Sequence, residues 1–400
     1  MSNAAGARAL ERTPHPSPVR GWLAVVTVAL GTFTVVTSEM LPVGLLSPMG
    51  GGLGVTEGTA GLTLTITGLV AAVTAPFVPA LVGRADRRAV LVALMALLGA
   101  ANLLSAWSPT FAVMVAARVL VGLGMGGVWA LAAGLAPRLV PERSVGSATS
   151  VIFAGIAVAS VLGVPVGAYI GALSGWRAAF VVFAALALAL CVAMALLLPR
   201  LPAERGARLS GVTGLLANPK VATGLAVAVF LVTAHFAAYT YVRPVLEGTA
   251  GIGAGLIGTM LLVYGLAGVV GNFAAGPRAV RAPRSTLLVL GAALGCAVLL
   301  VPLIGVTVLA TGLLMVVWGL AYGGVSVSVQ TWMMRSAPEE REGVSSLFVG
   351  VFNGSIALGA LIGGFVLDGA GGTAVMWLAA ALALGALLIT LFGRAPGRIG

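Results

Sequence analysis

The feature that most limits what this chain can become is a series of uninterrupted apolar runs, most of them 20 residues or longer. They are separated by short breaks rich in charge, Gly or Pro. A helix of about 20 residues spans ~30 Å, the thickness of a bilayer's hydrocarbon core. The runs fall at 21–48, 57–82, 88–107, 111–137, 146–173, 177–199, 218–246, 252–276, 285–304, 306–334, 343–368 and 373–393. Only 8% of residues are charged, against about 25% in soluble domains, and no soluble core could absorb so much apolar surface. Transmembrane β-barrels require alternating segments of about 10 residues, whereas these runs are continuous. The reading is an all-α membrane protein of twelve transmembrane helices. Its 57 glycines suit helices that pack closely in lipid.

Charge gives the topology. The loops 83–88, 138–145, 200–220, 277–284 and 335–342, together with both tails, hold 19 of the 22 Lys and Arg residues. The exceptions are Arg118, Arg177 and Arg243. By the positive-inside rule this places both termini in the cytoplasm and the protein in the cytoplasmic membrane. The net charge of +11 is therefore a matter of orientation, and nucleic acid is not an expected partner. Cys191 and Cys296 lie within apolar runs, so no disulfide framework is indicated. No metal-ligand spacing, Walker A loop or dinucleotide fingerprint occurs. Neither an enzyme nor a cofactor is expected.

The longest connection, "PRLPAERGARLSGVTGLLANPK" at Pro199–Lys220, separates six spans from six. Advancing the first half by 197 positions superposes similar motifs. Gly122–Gly127 ("GLGMGG") falls on Gly319–Gly324 ("GLAYGG"), since 319 − 122 = 197, and Pro141-Glu142 falls on Pro338-Glu339. Gly146 meets Gly343, Gly167 meets Gly364, and Arg84 and Arg87 meet Arg281 and Arg284. Two parallel six-helix halves around a midplane site are a transporter architecture. The expected division is a tail at 1–20, a first bundle at 21–199, a linker at 200–217, a second bundle at 218–393 and a tail at 394–400.

This pattern resembles the major facilitator superfamily over essentially the whole chain. "PALVGRADRR" at Pro79–Arg88 is a degenerate form of that family's G-x-x-x-D-R-x-G-R-R loop, keeping Arg84, Arg87 and Arg88 around Asp86. "RVLVG" at Arg118–Gly122 resembles its fourth-span R-x-x-x-G motif. "GVPVG" at Gly163–Gly167 resembles the fifth-span antiporter motif with its proline, Pro165, displaced by one place. "SEMLPVGLLSPM", "AHFAAYTYVRP" and "GGVWALAAGLAPRLVP" resemble the drug:proton antiporter branch, in particular efflux proteins for sugars and purine ribonucleosides. The resemblance implies proton-driven export of a small molecule such as a sugar, nucleoside or drug. The proton gradient would supply the energy, and a monomer would suffice. Proton-coupled uptake, or a receptor or scaffold built on a carrier fold, stay open as alternatives.

Candidate residues follow from polarity in the wrong solvent. Glu39 is the only charged residue between Gly21 and Thr56, and a carboxylate at bilayer depth costs about 2.5–3.5 kcal/mol. Proton coupling and a structural hydrogen bond to a neighbouring helix are its two readings. Arg118 lies ~10 Å, and Glu39 ~14 Å, below the outer ends of their spans; electrostatic coupling to Glu39, direct or through water, is one reading of Arg118, and snorkelling outward or capping backbone carbonyls is the other. On the seventh span His235, Tyr239 and Arg243 succeed one another by a helical turn. The first two are candidate substrate contacts, whereas Arg243 reads as interfacial. Trp129, Trp318, Tyr322 and Asn353 are further substrate candidates, and Asp368 reads as solvated. Gly163, Pro165 and Gly167 suggest a bendable seam between the halves or, equally, a static tight contact. Arg84, Asp86, Arg87 and Arg88 suggest a cytoplasmic latch or a role in topology alone.

Overall fold

A computed structural model describes residues 18–82, 85–132, 134–202, 212–305 and 307–396. Helices account for almost all of it, and no strand occurs among the described residues. In lipid this is forced, because backbone N–H and C=O groups must be satisfied within the segment. The long helices are α1 (Pro18–Leu53), α2 (Glu57–Val82), α3 (Arg87–Ala106), α4 (Phe111–Ala132), α5 (Glu142–Ser174) and α6 (Trp176–Leu197). Then come α7 (Pro219–Thr240), α8 (Ala254–Arg281), α9 (Pro283–Ile304), α10 (Val308–Ser336) and a final run, Arg341–Phe392.

Eleven such runs among the described residues are long and apolar enough to cross a membrane. The last has 52 residues and would be ~78 Å long if straight, more than twice the hydrocarbon thickness. It is two helices. Gly371 has φ 80° and ψ 175°, a conformation open to glycine. Before it, Gly359 and Gly363 pack beside Thr233 and Ala237 of α7; after it, Gly385 and Gly393 pack beside Phe230 and Thr223. The chain climbs α7 and then descends it, giving α11 (341–370) and α12 (372–392) and twelve passes among the described residues. Gly175, at φ 82°, makes the matching reversal between α5 and α6.

Two hydrophobic clusters each lie within one half, while a third joins Val43, Leu64 and Val164 of the first half to residues of the second. Of the first two, one joins residues from Ala24 to Leu201 across α1, α3, α4 and α6. The other joins Leu215 to Ala386 with Trp332 fully buried inside it. The repeat detected in the sequence recurs as contact geometry. Gly122 lets α4 approach α2 at Thr67 and Val70, and Gly319 lets α10 approach α8 at Tyr264 and Ala267. Each of these contacts maps on the other by the same advance of 197 (264 − 67; 267 − 70).

Several expectations are corrected. The seventh helix stops at Thr240; residues Val242–Ala250 form a separate short helix. Pro244 falls in its first turn, where a missing N–H is harmless. The fourth span ends at Ala132 rather than near 137. The loop after α2 ties its own half together. Asp86 Oδ1 accepts from Arg88 N at 2.9 Å and Leu201 N at 2.8 Å, capping α3 onto the end of α6. Arg88 donates to the Ala195 carbonyl, and Arg87 N to the Leu201 carbonyl at 2.8 Å. Arg84 lies outside the described residues. Gly163 and Gly167 face Thr37 and Leu41 of α1, within the first half. Where α5 does meet the second half, Val161 and Tyr169 lie against Gly265 and Gly258 of α8. The Ala159–Gly163 stretch just before Pro165 is a π-helical turn.

Hydrogen bonds that cross between the halves cluster at the end remote from the termini. Tyr169 Oη and Thr259 Oγ1 pair at 2.6 Å. Asp368, which had read as solvated, accepts from Thr56 Oγ1 at 2.6 Å and Gly58 N at 3.0 Å, capping the start of α2 from the opposite half.

Candidate functional site

The site begins with a missing hydrogen bond. Pro42 lies inside α1 and has no N–H to return to the carbonyl four residues back, that of Ser38. A buried carbonyl needs a donor. Arg118 on α4, with no exposed surface, supplies it: Nη1 donates to the Ser38 carbonyl at 2.9 Å and Nη2 to Ser105 Oγ at 2.8 Å. The guanidinium lies 5.0 Å from the centroid of the Phe180 ring. Asn102 Nδ2 donates to Ser38 Oγ at 3.0 Å. Glu39 is buried beside this cluster at 3% exposure, and its Oε1 has no hydrogen-bond partner; Arg118 Nε is likewise unpartnered. No direct Arg118–Glu39 pair is made, and of the two readings of Arg118 the structure shows the capped backbone carbonyl. The arginine grips the backbone carbonyl of the residue preceding Glu39, Ser38.

Across the midline lies an aromatic cluster centred on His235. Its ring stacks on Tyr322 with centroids 3.4 Å apart, on Tyr239 at 4.9 Å, and at 6.0 Å from Tyr264. Trp318 meets it edge-on and donates Nε1–H to His235 Nδ1 at 3.1 Å. An indole nitrogen can only donate, so Nδ1 is an acceptor and the neutral imidazole carries its proton on Nε2. Tyr264 Oη lies 3.4 Å from that nitrogen, and the Tyr322 hydroxyl is buried without a partner. Met40, the residue after Glu39, packs against the cluster holding Tyr239, Tyr264 and Trp318, and also against the one holding Phe236. Met40 thus brings α1, one residue on from Glu39, against the aromatic group of the other half.

Of the substrate candidates named from sequence, His235, Tyr239, Trp318 and Tyr322 come together. Asn353 does not join them: Nδ2 bonds the Val349 carbonyl of its own helix at 2.9 Å. The side chain of Trp129 lies outside the described residues. Sequence reasoning missed Tyr264, which sits in an apolar run with no polar neighbour to draw attention. It also misplaced Arg243, which is 5% exposed and bonded across the halves rather than interfacial.

The chain is 36% identical over 373 residues to the purine ribonucleoside efflux pump NepI of Escherichia coli, covering 92% of this chain and 93% of that protein. It is 34% identical over 384 residues to the transcription regulatory protein OpdE of Pseudomonas aeruginosa, covering 94% and 95%. Its fold matches a crystal structure of a variant of the nucleoside transporter NupG (TM-score 0.72, 15% identity, 92% of this chain and 98% of that one). It also matches a bacterial homologue of the human lysosomal transporter Spinster, inward-facing and occupied (TM-score 0.73, 15% identity, 94% and 97%). The family model of the Major Facilitator Superfamily matches residues 28–355. The chain belongs to that superfamily and is a multi-pass membrane transporter of small molecules.

Proposed function

We propose that the protein exports small molecules bearing a planar heteroaromatic ring, purine nucleosides foremost, in exchange for protons, with both termini in the cytoplasm. The observation that carries this is Glu39, a carboxyl group buried in α1 with an oxygen left unbonded. A buried charge without a counter-charge is costly. A cycle that presents Glu39 by turns to two aqueous phases would therefore load and unload a proton. The aromatic cluster that Met40 packs against offers stacking faces and hydroxyls suited to a base-bearing ligand. The similarity to NepI supports the same substrate class, and the 19 of 22 Lys and Arg residues in the tails and alternate loops support the orientation.

The test is transport by full-length protein in proteoliposomes under an imposed pH gradient, with labelled purine nucleosides, sugars and drugs compared. Nucleoside flux opposite to the proton gradient is expected. Glu39→Gln should abolish gradient-driven flux while eluting as the same folded species, and full flux in that variant would overturn the role of Glu39. Flux in the same direction as the protons would make the protein a symporter. The name of the OpdE relative favours a second reading, a regulatory role. Ligand binding without any flux would support that instead.

A further inference from the structure

α1 carries a second proline, and its consequence is different. Pro48 cannot donate to the carbonyl of Gly44, four residues back. Here too a buried arginine occupies the opening: Arg243 Nη1 donates to the Gly44 carbonyl at 2.6 Å. Whereas Arg118 and Ser38 belong to one half, Arg243 and Gly44 belong to opposite halves. Arg243 Nε also donates to Glu247 Oε1 at 2.9 Å, and Glu247 Oε2 accepts from Ser47 Oγ at 2.7 Å. The four groups close a loop. Gly44 and Ser47 are about one turn apart on α1; Arg243 and Glu247 are one turn apart on the short helix Val242–Ala250.

We propose that Arg243 is a reversible clasp holding the remote end of the carrier shut. Its guanidinium docks on the carbonyl that Pro48 leaves open, Glu247 orients it and reaches Ser47, and that end opens only when this loop lets go. Three observations support it. The short helix is separated from α7 at Tyr241, whose φ of −106° and ψ of 17° leave the helical region, so the clasp can swing without dragging α7. The clasp lies beside the other crossing bonds, those of Asp368 with Thr56 and Gly58. Its partners are polar, so water returns most of what is lost when they part. That suits a contact made and broken in every cycle. The inference concerns the remote end alone and holds whatever the substrate.

The experiment is thiol labelling of the purified full-length protein. Leu46→Cys is placed in a background where Cys191 and Cys296 are alanine. Leu46 is fully buried with Ala60, Tyr241 and Val375 directly at the clasp, and reacts with a hydrophilic maleimide only when the halves part there. Arg243→Gln should speed labelling about tenfold, the effect of losing one hydrogen bond to a charged group. Glu247→Gln, which keeps its size and an oxygen for Ser47, should speed it less. The control is Arg177→Gln, which removes a 3.1 Å bond to the Ser108 carbonyl at the same end but within one half. It should leave labelling unchanged. Unchanged rates in both clasp variants, or an equal rise in the control, would overturn the proposal.

Discussion

Trp318 and His235 show how little freedom a polar residue retains at this depth. Tyr239, Tyr264, Trp318 and Tyr322 surround the imidazole, yet only the Trp318 indole fixes which nitrogen bears the proton. Trp318→Phe keeps an aromatic ring and removes that donor, leaving His235 Nδ1 buried and unpaired. The expected cost is about 1–3 kcal/mol of stability, read as a lower unfolding temperature of the purified protein. Ligand affinity should fall with it, because the imidazole is free to turn over. Trp318→Phe with unaltered unfolding temperature and affinity would show that the hydrogen bond does not organise the cluster.

At the scale of the element, α1 is the unusual helix. Its two interior prolines open two carbonyls, and two arginines from different places close them. Pro42→Ala restores the N–H aimed at Ser38 and removes a residue that costs up to about 3 kcal/mol inside a soluble helix. The unfolding temperature should rise while gradient-driven transport falls, since Arg118 would share its acceptor and the bend beside Glu39 would relax. A variant that is both less stable and fully active would contradict this account. α5 gives a second case of local chemistry redirected by packing. The motif Gly163-Val-Pro-Val-Gly167 places its glycines toward α1, and the π-turn just before it turns Val161 toward α8 instead.

For the whole molecule, the two halves repeat their packing as well as their motifs. Gly122 and Gly319 perform the same task 197 residues apart (319 − 122), each where an added Cβ would lie under 3 Å from the facing helix. Gly122→Ala and Gly319→Ala should each destabilise by about 1–3 kcal/mol through overpacking. The sites share no partner, so the double variant should show the sum to within about 0.5 kcal/mol. Thermal or denaturant unfolding in detergent measures all three. A double variant no worse than either single would mean that the halves do not behave as separate cores.

The fold was legible because lipid admits few answers. Run length set the number of crossings, the Lys and Arg asymmetry set their alternation, and Gly122 with Gly319 announced the repeat. Glu39 and Arg118 were visible as charges in an apolar medium, and His235 with Tyr239 as a polar face. The partners were not legible. No spacing distinguishes an arginine that pairs with Glu39 from one that takes the Ser38 carbonyl, because backbone acceptors are the same at every position until a proline frees one. Nor does it say that Arg243 reaches Gly44 in the other half, or that Tyr264 joins His235. The sequence by itself determined a two-half helical carrier with one buried acid. Only the tertiary structure decided which groups meet, because a hydrogen bond depends on a few tenths of an ångström between helices far apart in the chain.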